Sequence, residues 1–302
     1  MSRPTVVTLS TIPSRFHLIE PTLKSLLSQS LKFQEIRVYI PMEYRRFTNW
    51  DGALPPVPSG VSIVRCDKDY GPATKVLPAA RDLKDQNVDI LFCDDDKIYD
   101  AGWHKRFKDA SAEHPDACIV EVGESFPDIS DDCRPTDRLP RGRWKKKNSS
   151  YRTKRILSLF LYKPNLSTAG YVDQLAGFAG VLVRPEWFDE AFYDIPDVMW
   201  TVDDPWLSGH LERRGIPIWM TGKRKHLPET EGASIDSLLG FVEAGHNRVN
   251  ADLLVIDYFR EKYGIWKKGG ELNQESSLRT GPMRELARRR ERELQLENSQ
   301  PA

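Results

Sequence analysis

Three consecutive carboxylates, Asp94, Asp95 and Asp96, end the apolar run Ile90-Leu91-Phe92-Cys93. The run reads as a buried strand, which puts the triplet at its carboxyl end. Adjacent carboxylates beside a hydrophobic strand repel one another, and burial disfavours their charged forms further, so the arrangement demands a cation or a set of donors. In an extended chain, residues two apart share a side, so Asp94 and Asp96 converge while Asp95 points elsewhere. Such a D-x-D pair holds Mg2+ or Mn2+ with substrate phosphates completing the shell, which points to a nucleotide or another diphosphate. The alternative is a solvated turn in which Asp caps backbone groups.

A second acidic pair, Asp203-Asp204, stands before Pro205. Asp followed by Pro is how a helix begins, with Asp204 as N-cap and Pro205 at the first helical position. One cap needs one Asp, which leaves Asp203 for other work and suggests a general base. Between the two acidic sites, the closely spaced Gly177 and Gly180 mark a place where backbone approaches another backbone or a ligand.

The elements that must position these groups alternate. Strand Thr5–Leu9 leads through the loop Ser10–Arg15 into an amphipathic helix with Phe16, Ile19, Leu23, Leu26 and Leu27 on one face, its regular part starting at Pro21. Strand Glu35–Ile40 follows, and this strand-helix-strand unit is parallel and right-handed by default. A third strand, Val61–Cys66, precedes the turn Asp69-Tyr70-Gly71-Pro72-Ala73-Thr74-Lys75 and a helical stretch to about Leu83. Trp103, Phe107 and Ala110 mark another helix, and Ala117–Val122 and Ile216–Met220 further strands. In an open parallel sheet, ligands bind beyond the carboxyl ends of the strands, so Arg15, Lys75 and the triplet share one crevice. Taken singly, Arg15 and Lys75 read as solvated charges.

The chain has 302 residues, 39% of them hydrophobic, and 44 basic against 44 acidic side chains. That suffices for one large domain or two small ones, and the balanced charge gives no global attraction to nucleic acid or anionic membrane. The apolar runs Ile156–Tyr162 and Leu175–Val183 fall short of the roughly 20 residues that span a bilayer, and the start lacks an apolar signal segment. Four cysteines without pairing or metal spacing fit reduced thiols, and the expected location is cytoplasmic. Residues 121–132 are acid-rich, and 134–155 carry ten Lys and Arg against Asp137 alone. This basic stretch reads as a mobile solvated loop, or as a lid or patch for an anionic acceptor or an acidic membrane surface. No nucleic-acid-binding motif accompanies it. Thr280–Glu297, dense in Arg and Glu, reads as a solvated helix or frayed tail.

Four features in order carry a resemblance: Thr8-Leu9-Ser10-Thr11-Ile12-Pro13-Ser14-Arg15 with its trailing Ser25-Leu26-Leu27-Ser28-Gln29, then Asp69 to Lys75, then Asp94-Asp95-Asp96, and last Val202-Asp203-Asp204. Over about residues 5 to 265 the chain resembles a GT-A fold glycosyltransferase, closest to the family 2-like nucleotide-sugar transferases. The resemblance implies a single α/β domain over 1–266 with a Rossmann-like, mostly parallel sheet flanked by helices. It divides into a nucleotide half over about 1–122, a charged loop over 123–164, an acceptor half over about 165–266 and a polar tail over 267–302. It implies donor binding by Thr8, Ser10, Arg15, Tyr70, Lys75, Asp94 and Asp95, and Mn2+ or Mg2+ held by Asp94, Asp96 and His226, with His246 in reserve. Gly177, Gly180 and Trp206 fall on the acceptor side, and the base maps to Asp204, with Asp203 beside it where Glu is usual. The implied activity is inverting transfer from a nucleotide-sugar, UDP-sugar first, to a glycan or other hydroxyl. A metal-dependent nucleotidyltransferase and a catalytically silent binding module remain as alternatives.

Overall fold

Val6, Val7, Leu9, Ile90, Leu91 and Phe92 have no exposed surface, because both faces of the sheet they build are covered. The structure, a computed structural model, describes residues 3–144, 149–158, 167–243, 245–273, 276 and 278–299. Eight strands form its central sheet: β1 (Thr5–Ser10), β2 (Glu35–Pro41), β3 (Ser62–Cys66), β4 (Asp89–Phe92), β5 (Cys118–Val120), β6 (Gly170–Val172), β7 (Val181–Val183) and β8 (Ile218–Met220). They lie in the order β3-β2-β1-β4-β7-β5-β8-β6. The pairs β1–β2, β2–β3, β1–β4 and β5–β8 are parallel, whereas β7 and β6 run against their neighbours.

Among the described residues, seven α-helices accompany the strands: α1 (Glu20–Leu27), α2 (Leu77–Asp82), α3 (Trp103–Glu113), α4 (Ser149–Leu157), α5 (Asp204–Arg213), α6 (Arg248–Tyr263) and α7 (Gly281–Ser299). The period-two alternation of the strands sorts successive residues to opposite faces. Val6 and Ile90 pack with Leu77, Ala80, Leu207 and Leu211 from α2 and α5, while Val7 and Leu91 pack with Leu23, Leu26, Trp103 and Phe107 from α1 and α3. A third cluster joins Val202 and Trp206 to Val255, Ile256 and Phe259 of α6 and to Met283 and Leu286 of α7.

Two expectations change. The tail is helical, but it is not merely solvated: Met283 and Leu286 have no exposed surface and seat α7 on α6. The basic stretch is not a free loop where it is described, because Arg134 and Arg141 are buried on the Asp173 carboxylate, each at 2.7 Å. Phe126 N–H also donates to that carboxylate, at 2.7 Å. Burial opposes the charge of Asp173, yet the two guanidinium groups outweigh it and hold the carboxyl far below its usual range. Lys145, Lys146 and Lys147 lie outside the described residues, as do residues 159–162 of the Ile156–Tyr162 run. Among the described residues no helix is long and apolar enough to cross a membrane. All four cysteines are free. The apolar strand-like runs around Cys66, Cys93 and Cys118 predict three buried thiols, and Cys93 and Cys118 are buried, whereas Cys66 on the edge strand β3 is half-buried and Cys133 is exposed.

Asp173→Asn leaves two buried guanidinium groups without their counter-charge and is expected to cost about 3–5 kcal/mol. Urea unfolding measures this, and a loss under about 1 kcal/mol would mean that water reaches the two arginines and replaces the carboxylate.

Candidate functional site

The chain leaves β1 toward β2 on one side and β4 toward β5 on the other, so the carboxyl ends of these adjacent strands border a topological switch point. A cleft of about 820 Å³ opens there. It is lined by Ser10, Thr11 and Arg15 after β1, Lys75 before α2, the triplet after β4, Asp203 and Asp204 at the start of α5, and Arg248 and Asp252 on α6. That volume lies in the range of small-molecule sites. Ten carboxylate side chains and five cationic ones line it.

The triplet divides as expected, Asp94 and Asp96 on one side and Asp95 on another, but strand alternation is not the cause. Regular strand ends at Phe92, so residues 94–96 are not extended and the two-residue period does not govern them. Asp95 turns inward, 8% exposed, and accepts from Thr11 Oγ1 at 2.5 Å and Arg15 Nη1 at 3.0 Å. Its carbonyl accepts from Thr22 Oγ1 of α1 at 2.8 Å. Asp95 thus fastens the β1 loop and α1 to the end of β4, with both carboxylate oxygens engaged by protein rather than open to a donor. Asp94 and Asp96 face the cleft, as expected, but each already has cations beside it. Asp94 Oδ1 lies 2.7 Å from Lys75 Nζ, and Asp96 lies 3.1 Å from Lys97 and 3.6 Å from Arg15. The positive charge that the triplet demands is supplied within the protein by Lys75, Arg15 and Lys97.

Lys75 joins the two acidic sites. Its Nζ stands 2.7 Å from Asp94 and 2.9 Å from Asp203, and its side chain is 6% exposed. Burial disfavours its charge, but Asp203, Asp94 and Asp204 outweigh that and strengthen its hold on the proton. Burial likewise opposes ionisation of Asp94, and Lys75 overcomes it and keeps the carboxyl below its usual range. The turn before Lys75 is made by Gly71 at φ +59°, where a Cβ would come within 2.6 Å of Trp200 O. Thr8 Oγ1 donates to Lys75 O at 2.7 Å and fixes the turn against β1.

Neither Asp203 nor Asp204 caps α5 with its side chain, contrary to the capping expectation. Asp203 has helical backbone angles, and its carboxylate reaches Lys75. Asp204 Oδ1 accepts from Gly177 N–H at 2.8 Å. A Cβ at Gly177 would come within 2.7 Å of Lys75 Nζ and 3.0 Å of Asp204 Oδ1, so this glycine lets backbone reach the site. Burial, reinforced by the neighbouring Asp203 charge, pushes Asp204 far above the usual carboxylate range against the pull of Lys75 and Arg248. Held by an N–H and surrounded by a cleft, Asp204 is a strong proton acceptor.

Of the residues expected at the site, Ser10, Arg15, Lys75, the triplet, Asp203 and Asp204 line the cleft, and Gly177 touches it through Asp204. Thr8 is fully buried and structural, and Tyr70 packs in the core, 5.9 Å ring to ring from Tyr193. Trp206 is buried against Phe259 and donates to Phe192 O at 2.9 Å, so it does not face an acceptor. Gly180 makes room for Trp103 and Phe107 rather than for a ligand. His226 is exposed and His246 half-buried, and neither lines the cleft. Among the described residues no group of three or more His, Cys, Asp or Glu is disposed to hold a metal ion. A cation here would take Asp94 and Asp96 and complete its shell from a ligand's phosphates.

Sequence reasoning missed Arg248 and Asp252. Their signal was the helix start Asn247-Arg248-Val249-Asn250, in which Asn247 Oδ1 accepts from Asn250 N at 2.9 Å. It also missed the acid Glu124 as a site residue and Thr280 beside it, 2.8 Å apart through Oγ1–H donation to Oε2. Burial pushes Asp252 up to about 7 and Glu124 up to about 7. No protein-family model matches the sequence, and no curated protein matches it.

Lys75→Met removes the counter-charge of Asp94 and Asp203, for an expected loss of about 3–5 kcal/mol at neutral pH. Asp94 is depressed in the folded protein, so its contribution is present above the unfolded value near 4 and is lost as pH falls through it. The difference between wild type and variant in chemical unfolding should therefore shrink below about pH 4. Glu124 has the opposite sign. Its folded-state value is raised from 4.5 to about 7, so the stability it contributes is present below pH 4.5 and is lost as pH rises to 7. Glu124→Gln should flatten the stability profile across that window by on the order of 3 kcal/mol, and an unchanged profile would place Glu124 in contact with water.

Proposed function

We propose that this protein is a glycosyltransferase of the GT-A type, moving a sugar from a nucleoside diphosphate to an acceptor hydroxyl with inversion. The observation that carries the reading is a single cleft, at the switch point of a mostly parallel sheet, in which Lys75 ties a D-x-D pair to a second acidic pair. Ten carboxylates against five cations disfavour a bare diphosphate, so a bound cation would supply the missing positive charge. Asp94 and Asp96 are the residues that would hold Mn2+ or Mg2+, which when bound offsets the charge on the diphosphate. Arg15 and Lys97, beside Asp96, add positive charge on the same side.

Asp204 performs the proton step. Its carboxylate is oriented by Gly177 N–H and has a raised proton affinity, which suits it to take the proton of an attacking hydroxyl. The acceptor oxygen forms its bond to the anomeric carbon as the bond to the diphosphate oxygen breaks on the far side, which inverts the centre. Asp203 keeps Lys75 in place. Peripheral contact of the 134–155 stretch with an anionic membrane would involve α4, where Ile156 and Leu157 are exposed, rather than Arg134 and Arg141, which are committed to Asp173.

Thermal unfolding against nucleoside diphosphates, UDP first, with and without Mn2+ tests the reading. One base should raise the midpoint only with Mn2+, and Asp96→Ala should abolish the rise. Asp204→Asn should keep the rise but lose about a hundredfold to ten-thousandfold in transfer rate. The reading is abandoned if folded wild type responds to no nucleotide, or if Asp204→Asn loses nucleotide binding along with turnover.

A further inference from the structure

Beyond the two acidic sites, the cleft extends along a wall that the transfer chemistry does not use. Glu124 and Gln174 face each other across a short antiparallel ladder, so their side chains leave the same face. Asp252 approaches from α6, and all three residues line the cleft while being at most 9% exposed. The Gln174 Oε1 atom is buried and has no hydrogen-bond partner. An orphaned amide oxygen in such a place costs stability unless a ligand donor meets it. Segment 174–177 also carries Gly177, which holds Asp204, so the wall runs directly up to the proposed base.

We propose that Glu124, Gln174 and Asp252 form the acceptor subsite, and that it takes a neutral polyhydroxylated ring rather than a phosphorylated or carboxylated acceptor. The assignment rests on the transferase reading. Its chemistry follows from the inventory of the wall: two carboxyl groups and an amide oxygen present acceptor lone pairs, which call for a ligand rich in O–H donors. Vicinal sugar hydroxyls supply such donors, and a phosphate or carboxylate does not. Leu175, Val249 and Pro282 add an apolar surface for the C–H face of a ring. Arg248 does not convert the wall into an anion site, because its charge is shared among Asp252, Asp204, Asp203 and Asp94. Thr280 Oγ1 donates to Glu124 Oε2 and fixes the orientation of that carboxyl.

Saturation-transfer NMR on the whole chain tests this with matched probes: methyl glycosides of neutral hexoses and of the corresponding hexuronic acids. Neutral glycosides should bind wild type in preference to the uronates. Gln174→Leu and Asp252→Asn should each weaken that binding by about tenfold or more, because a site built to hydrogen-bond a hydroxyl discriminates strongly once a partner is lost. Thermal midpoints establish that each variant is folded, and the two substitutions on separate elements ensure that one remains informative. The subsite is overturned if wild type binds no neutral glycoside, if the uronates bind more tightly, or if affinity is unmoved in a folded variant. The Mn2+-dependent nucleotide response reports separately on the transferase reading. Its absence alongside residue-dependent glycoside binding would sink the transferase and leave the sugar subsite standing.

Discussion

Everything in the cleft depends on one buried ammonium between two carboxylates. Without Lys75 the acidic ends of β4 and α5 would repel across the gap that it fills, since its Nζ lies 2.7 Å from Asp94 and 2.9 Å from Asp203. The lysine is in turn held by its own carbonyl, through Thr8 on β1, and by the tight turn at Gly71. One side chain therefore sets the distance between Asp94 at the end of β4 and Asp203 at the start of α5. Taking it out of water is costly, and the surrounding carboxylates offset the cost.

Around that pair the fold works as a set of fasteners. Asp95 clamps the β1 loop and α1 to β4, Asp173 gathers Arg134 and Arg141 under the 123–144 segment, and the third hydrophobic cluster holds α6 and α7 over α5. Each fastener ties one of the segments around the cleft to the body of the fold.

How much of this was legible follows from the kind of signal each part carries. The parallel strands and their crossover helices stood out because apolar runs bounded by Gly and Pro report burial directly. The crevice followed from topology, since the loops after β1, β3 and β4 leave the same edge. The three-residue strands β6 and β7 are too short for periodicity to register. Side-chain destinations were less legible still. The alternation that sets Asp95 apart from Asp94 and Asp96 stops at Phe92 and does not reveal its partners Thr11 and Arg15, and the basic stretch looks solvated because the partner of Arg134, Asp173, lies 39 residues away. The capping expectation for Asp204 failed for a related reason: a local rule competes with a nonlocal partner, here Gly177, 27 residues earlier. Arg248 and Asp252 were readable from the Asn247 cap and were passed over among the acidic motifs.

The same long separations bear on the order in which the site comes into being. Lys75 meets Asp94 across 19 residues, Asp204 meets Gly177 across 27, and Thr280 meets Glu124 across 156. A chain emerging from the ribosome can close the first contact early, but the last waits for loops whose closure is slow. The Lys75–Asp94 end of the cleft can thus close before the wall that Glu124 and Thr280 form opposite it. Only the finished fold, with its 156-residue separation closed, joins the two ends of the cleft.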